Sequence, residues 1–153
     1  MRAAGIVALI AALGLAAPAY ADYRSGWDAF EKGDFISAVR AWLPLANQGD
    51  AQAQYAIAIL MLYGRGLPAN PGGAATLLAP AAAAGLPEAA YALATLYQNG
   101  QGVDRNTTEA VRLYGVAAAA GHAPAQNNLG LMLALGDGVP RNASSAHTSF
   151  SIA

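Results

Sequence analysis

The sequence predicts an all-α protein, an α/α solenoid of antiparallel helix pairs running for about three and a half repeats. Three observations carry that prediction. The loop glycines Gly64 and Gly66 recur as Gly100 and Gly102 and again as Gly136 and Gly138, each step being 36 residues. The same step links Ala53, Ala89 and Ala125; Leu60, Leu96 and Met132; Asn70, Asn106 and Asn142; and Ala74, Ala110 and Ala146. Between the loops, apolar residues fall at i, i+3, i+4, i+7 and i+8, the stripe of a helix buried along one side. A fixed period of this length marks stacked units, none of which can bury its apolar face alone.

Taken in order, residues 1–21 read as a cleavable export signal. Arg2 gives a positive start, Ala3 to Ala17 is an apolar run, Pro18 breaks it, and Ala19-Tyr20-Ala21 places small residues before the cut. The run is shorter than the roughly 20 residues a membrane-crossing helix needs, which disfavours an anchor and any stable insertion after cleavage. The expected mature chain begins at Asp22 and is periplasmic or secreted. Residues 22–153 form the solenoid, with repeats over 22–51, 52–87 and 88–123 and an incomplete one over 124–153.

The first helix is short, with Trp27 and Phe30 as its bulk. Gly33-Asp34 stops it and caps the next, which runs from Phe35 to about Gln48 with Ala38, Ala41, Trp42, Leu45 and Ala46 on its buried stripe. In the second repeat the stripes are Ala53, Ile57, Leu60 and Met61, then Ala74, Leu77, Leu78, Ala81 and Ala82, with Asn70-Pro71 as cap and first helical position. Pro44 and Pro80 share a column inside their helices and should kink them. The third repeat has Ala110, Leu113, Tyr114, Ala117 and Ala118 as its second stripe, and Asn106 with Glu109 reads as a capping box. The fourth opens with Ala125, Leu129, Met132 and Leu133. Its second helix, from Asn142, is short and imperfect, so fraying is expected there.

Composition excludes several functions. Net charge is −1 with no basic run, so a nucleic-acid backbone finds no footing. Cysteine is absent, which removes disulfides, lipoprotein attachment and thiol chemistry together. The glycine loops precede helices, but no strand comes before them and no lysine follows, so turn geometry explains them better than phosphate binding. His122 and His147 lack the helical partners a metal site requires. Ser144, Ser145, Ser149 and Ser151 lie in the imperfect tail, and Glu31, Glu88 and Glu109 form no sequence-adjacent pair. No catalytic residue, metal or cofactor is expected.

The columns of the third repeat resemble the Sel-one-like repeat family, a relative of the tetratricopeptide repeats. The resemblance rests on Ala89, Tyr91, Leu93, Tyr97, Gly100, Gly102-Val103, Ala110, Tyr114, Ala117-Ala118 and Gly121, with Asn70, Asn106 and Asn142 where the family usually has Asp. It covers nearly the whole chain after Asp22. It implies a protein-interaction scaffold, often exported or envelope-associated in bacteria, and in some relatives a periplasmic regulator holding a membrane sensor. It also carries a rival reading, β-lactam binding or hydrolysis, as linked to cysteine-rich relatives, and the incomplete last repeat suggests another, a truncated remnant without function.

The candidate site is a second stripe on the first helix of each pair. Tyr55, Ile59 and Leu62 lie at i, i+4 and i+7, turned about 200° from the Ala53, Ile57 and Leu60 stripe. The equivalents are Tyr91, Thr95 and Gln98 in the third repeat, and Asn127, Leu131 and Ala134 in the fourth. A helix apolar on two sides is either buried twice within the solenoid or lends one side to a partner. Tyrosine suits the second role, having a large ring and a polar tip. The expected partner is a protein or peptide of the cell envelope, lying along the concave face.

Overall fold

The computed structural model describes residues 23–138. The export segment, the Asn142 helix start, His147 and the tail serines lie outside them. Within them the chain forms seven helices and no strand: α1 (Tyr23–Glu31), α2 (Phe35–Asn47), α3 (Ala51–Tyr63), α4 (Pro71–Ala83), α5 (Pro87–Asn99), α6 (Thr107–Ala119) and α7 (Ala123–Leu135). Each helix packs against its neighbours in sequence, as an α/α solenoid requires. Pro44 and Pro80 sit inside α2 and α4 without interrupting either helix.

The helix ends follow from a few residues. Asp34, Asp50, Asn70 and Asn106 each accept a hydrogen bond from the backbone N–H three residues on, at 2.7–3.0 Å. One expectation fails here. Glu109 does not reach back to complete a capping box; both its carboxylate oxygens bind Arg112, at 2.6 and 2.9 Å. The Asn106 N–H it would have taken already donates to the Tyr97 carbonyl at 2.9 Å, so no donor is left for it. Gly64, Gly100 and Gly136 end the first helices in the left-handed conformation.

The second glycine of each loop has a further job. A Cβ on Gly66 would lie 2.7 Å from Phe35 Cβ, one on Gly102 would press the backbone of Pro71 and Gly72, and one on Gly138 would lie 2.6 Å from the Thr107 carbonyl oxygen. Each loop thus lies directly on the first turn of the preceding repeat's second helix. The residue between the glycines reaches back too: Arg65 stands over the Phe35 ring at 5.4 Å, and Asp137 pairs with Arg105 at 3.6 Å.

Alanine columns close the core. Ala38, Ala74 and Ala110, and Ala53, Ala89 and Ala125, are all completely buried, as are or nearly are the large residues Trp42, Leu78 and Tyr114 in one column. The buried arcs are shifted from the expected stripes. Val39 and Ala75 are buried, whereas Ala41, Leu45, Leu77, Ala118, Leu129 and Leu133 are half-buried, as is Tyr97. A helix held by the one before and the one after buries an arc centred between both contacts, which a single-stripe pattern misplaces. Gln54 and Gln126 are buried at one column, each donating to a carbonyl of the preceding helix, Ala46 at 3.1 Å and Ala118 at 3.2 Å.

At the N-terminal end, Tyr23, Trp27, Phe30, Phe35 and Trp42 form one aromatic cluster with ring centroids 5.2–6.2 Å apart. The Trp42 indole N–H donates to the Tyr23 carbonyl at 3.0 Å. Gly26 makes room for that indole: a Cβ there would come within 2.5 Å of its Cδ1. The cluster compensates for a first helix of only nine residues.

Candidate partner-binding face

The first helices of the pairs, α1, α3, α5 and α7, carry the candidate residues, and the structure divides that set. Tyr55, Ile59 and Leu62 on α3 are half-buried, with Tyr55 and Leu62 packed against the core. Burial pushes the Tyr55 phenol up, and the negative charge of Glu88 pushes it further.

On α5 the same column turns inward. The Tyr91 ring lies 4.7 Å from the His122 ring and 5.6 Å from the Tyr114 ring. The buried Tyr114 hydroxyl donates to Gln98 Oε1 at 2.7 Å and stands 3.1 Å from the Thr95 hydroxyl, which itself donates to the Tyr91 carbonyl at 3.0 Å. Burial raises the Tyr114 phenol, while hydrogen bonding with Thr95 and Asn128 acts the other way. Thr95 and Gln98 thus satisfy a polar group inside the stack. On α7 the column opens again: Asn127 is exposed and Leu131 is 52% exposed.

Two residues missed by the sequence reading are the most open of the large hydrophobics among the described residues. Tyr63 is 72% and Leu135 is 70% exposed, and they occupy one column at the last turn of α3 and α7. With Ile59 and Leu131 they share one register line, since residues i+7 and i+11 lie about 20° to either side of i around a helix. That line is Gln52, Ile59 and Tyr63 on α3; Glu88, Thr95 and Asn99 on α5; Pro124, Leu131 and Leu135 on α7; it is exposed except at Ile59 and Thr95, which are half-buried. The signal was available. A large apolar residue directly before a helix-ending glycine recurs two repeats apart.

The bases are unevenly divided between the two kinds of helix, whereas carboxylates occur on both. Among the described helices, α3 and α7 carry no charged residue, α5 carries Glu88 alone, and α1 carries Arg24, Asp28 and Glu31. The other bases, Lys32, Arg40, Arg65, Arg105 and Arg112, lie on the second helices or the loops leading to them. His122 sits at the N-terminus of α7, where its Nδ1 accepts from the Ala125 N–H at 3.3 Å.

Chemistry has little to work with here. Among the described residues no three of His, Asp and Glu come together as a metal site would need. A shallow hollow of about 450 Å³ lies over Gly100, Gly102, Val103 and Asp104. Its only charged group, the Asp104 carboxylate, would repel a phosphate. No described helix is long and apolar enough to cross a membrane.

The sequence matches the Sel1 repeat model three times, over residues 51–86, 87–122 and 123–147. The chain belongs to the Sel1 repeat family. Sel1 repeats are typically scaffolds for protein–protein interaction and generally non-enzymatic. Solved Sel1 structures share the architecture. A Sel1 repeat protein from Oxalobacter formigenes is 26% identical, with a TM-score of 0.82 over 86% of this chain and 54% of its own length. A protective antigen of uropathogenic Escherichia coli with the same repeat fold is 28% identical, with a TM-score of 0.79 over 83% of this chain and 28% of its own. This chain thus spans about half or less of both. The Helicobacter pylori cysteine-rich protein B, at 17% identity and a TM-score of 0.61 over 78% of this chain and 86% of its own, shares the fold. No curated protein matches the chain in sequence.

Proposed function

We propose that this Sel1 chain is an exported scaffold that binds a protein or peptide along the row of first helices, α1, α3, α5 and α7. The carrying observation is where its apolar surface stands. Of the six exposed large hydrophobics among the described residues, Trp27, Tyr63, Leu131 and Leu135 are on these helices, and only Ile36 and Val116 are on their partners. Stability does not call for exposed Tyr63 and Leu135, and large exposed apolar side chains of this kind are where a partner gains most by docking.

The narrower reading is a periplasmic regulator or adaptor of an envelope protein. Its support is the Arg2, Ala3–Ala17 and Ala19-Tyr20-Ala21 layout, together with the family's scaffold character. No observation on the described residues favours β-lactam chemistry.

The test uses the mature chain as bait on an envelope fraction beside a Tyr63→Ser, Leu131→Ser, Leu135→Ser variant. Proteins held by the first and released by the second support the face; identical capture by both removes it. Intact mass of exported material should begin at Asp22, and a retained Met1 would remove the export reading.

A further inference from the structure

The row of first helices offers apolar contact, but contact alone does not choose a partner. Charge does. On the helices that present it, the carboxylates Asp28, Glu31 and Glu88 stand against the one base Arg24. The Asp50 carboxylate caps α3 on the same helix row. Every other described base is placed on the opposite helix row or in the loops before it, alongside the carboxylates Asp34, Asp104, Glu109 and Asp137, and there Arg105 and Arg112 are held by Asp137 and Glu109.

Glu88 is the central group. It is exposed in the first turn of α5, on the same line as Thr95 and Asn99, and its field reaches Tyr55 on α3. The two ion pairs among the described residues, Arg105–Asp137 and Arg112–Glu109, do not involve it. With no charge on α3 or α7, its field is not cancelled by a neighbour on the face. Glu88 stands at the other end of the row from Tyr63 and Leu135, about 16 Å along the helices. A segment crossing the row with an acid there would meet like charge, which costs affinity; one with a base there would gain both terms.

Resting on the scaffold reading above, we propose that the face selects a segment that is both apolar and basic, its apolar side chains on Tyr63, Leu131 and Leu135 and a lysine or arginine reaching Glu88 at the other end of the row. The acidic row then sets the sign of the partner, and the apolar line holds it.

Three labelled peptides of equal length test this: leucine with lysine, leucine with glutamate, and serine with lysine. The leucine–lysine peptide should bind best, with affinity falling as salt rises. Glu88→Gln should weaken it about two- to fivefold, as loss of one exposed charge pair does. Glu109→Gln, on the opposite row, should leave it unchanged, and Tyr63→Ser should weaken it. Thermal melts of the same variants verify that each remains folded. Leucine–glutamate binding as tight as leucine–lysine, yet lost in Tyr63→Ser, would overturn the charge selection and leave the face standing. Leucine–lysine binding that ignores both Glu88→Gln and Tyr63→Ser would overturn the face itself.

Discussion

Gly102→Ala should be markedly more damaging than Gly100→Ala, although both glycines belong to one loop and both have positive φ, +70° and +66°. The shared term is backbone strain. An alanine held in the left-handed region costs about 1–2 kcal/mol. At Gly100 the new Cβ would stand 3.2 Å from Arg105 Cβ, tight contact that an exposed loop residue can relieve. At Gly102 it would meet the backbone of Pro71 and Gly72, and Pro71 Cβ at 2.7 Å. Those atoms open α4, so relief requires the two repeats to part. Overpacking of this kind adds about 1–3 kcal/mol. Gly102→Ala should thus lose about 2–5 kcal/mol and Gly100→Ala about 1–2 kcal/mol. Denaturant melts of the two variants, run side by side, measure the difference. Asparagine tolerates positive φ, so Gly100→Asn should recover most of the loss while Gly102→Asn should not. Equal losses at the two positions would refute the contact, leaving only conformational strain.

Other outcomes follow from the same geometry. Gly26→Ala should separate α1 from Trp42 and shift the tryptophan emission, at a cost of about 1–3 kcal/mol, with α5 and α6 hardly affected in hydrogen exchange. Gln126→Leu removes the donor to the Ala118 carbonyl and should cost about 1 kcal/mol in a denaturant melt. Stability should fall at both ends of the pH scale. The Ser37 hydrogen bonds hold the Asp34 carboxyl below its ordinary value, and the Arg112 hydrogen bond does so for Glu109. Their contribution is present above the unfolded carboxylate values and is lost as pH drops below about 4. Tyr23, Tyr55 and Tyr114 are raised, chiefly by burial, so their contribution is intact below about 10 and is lost as pH rises beyond it. A melting temperature that stays level through either limb would contradict these shifts.

The solenoid was legible because its rule is written in every repeat: glycines at a fixed step, asparagine caps, alanine columns. What a single helix cannot reveal is which of its neighbours takes each side. Gln54 looks like a surface residue until α2 is placed beside it, and Gly26 like a helix weakness until Trp42 is seen against it. The same limit governed the candidate site. Tyr91, Thr95 and Gln98 share a register with Tyr55, Ile59 and Leu62, yet α6 puts a tyrosine where α4 has a leucine, and that one hydroxyl draws Thr95 and Gln98 inward. Tyr63 and Leu135 were passed over because they lie outside a stripe drawn at i+4 and i+7.

That pairing of an inner tyrosine with polar neighbours makes a prediction of its own. Trp42, Leu78 and Tyr114 fill one column of the core, and each polar tip has found a partner on its own pair's first helix: the indole of Trp42 on the Tyr23 carbonyl, the hydroxyl of Tyr114 on Gln98. Leu78 has no polar tip, and α3 carries Ile59 and Leu62 at the positions where α5 carries Thr95 and Gln98. The polarity of α5 is then a consequence of Tyr114. Tyr114→Leu alone should lose packing volume and leave Gln98 and Thr95 without their partner, about 1–3 kcal/mol for the polar loss alone. Thr95→Ile with Gln98→Leu should strand the hydroxyl instead, at a similar cost. Combining all three should recover part of both losses, with a coupling of about 0.5–3 kcal/mol in a mutant cycle. Strictly additive losses would mean that Thr95 and Gln98 are polar for a reason outside the stack, and would return them to the binding face.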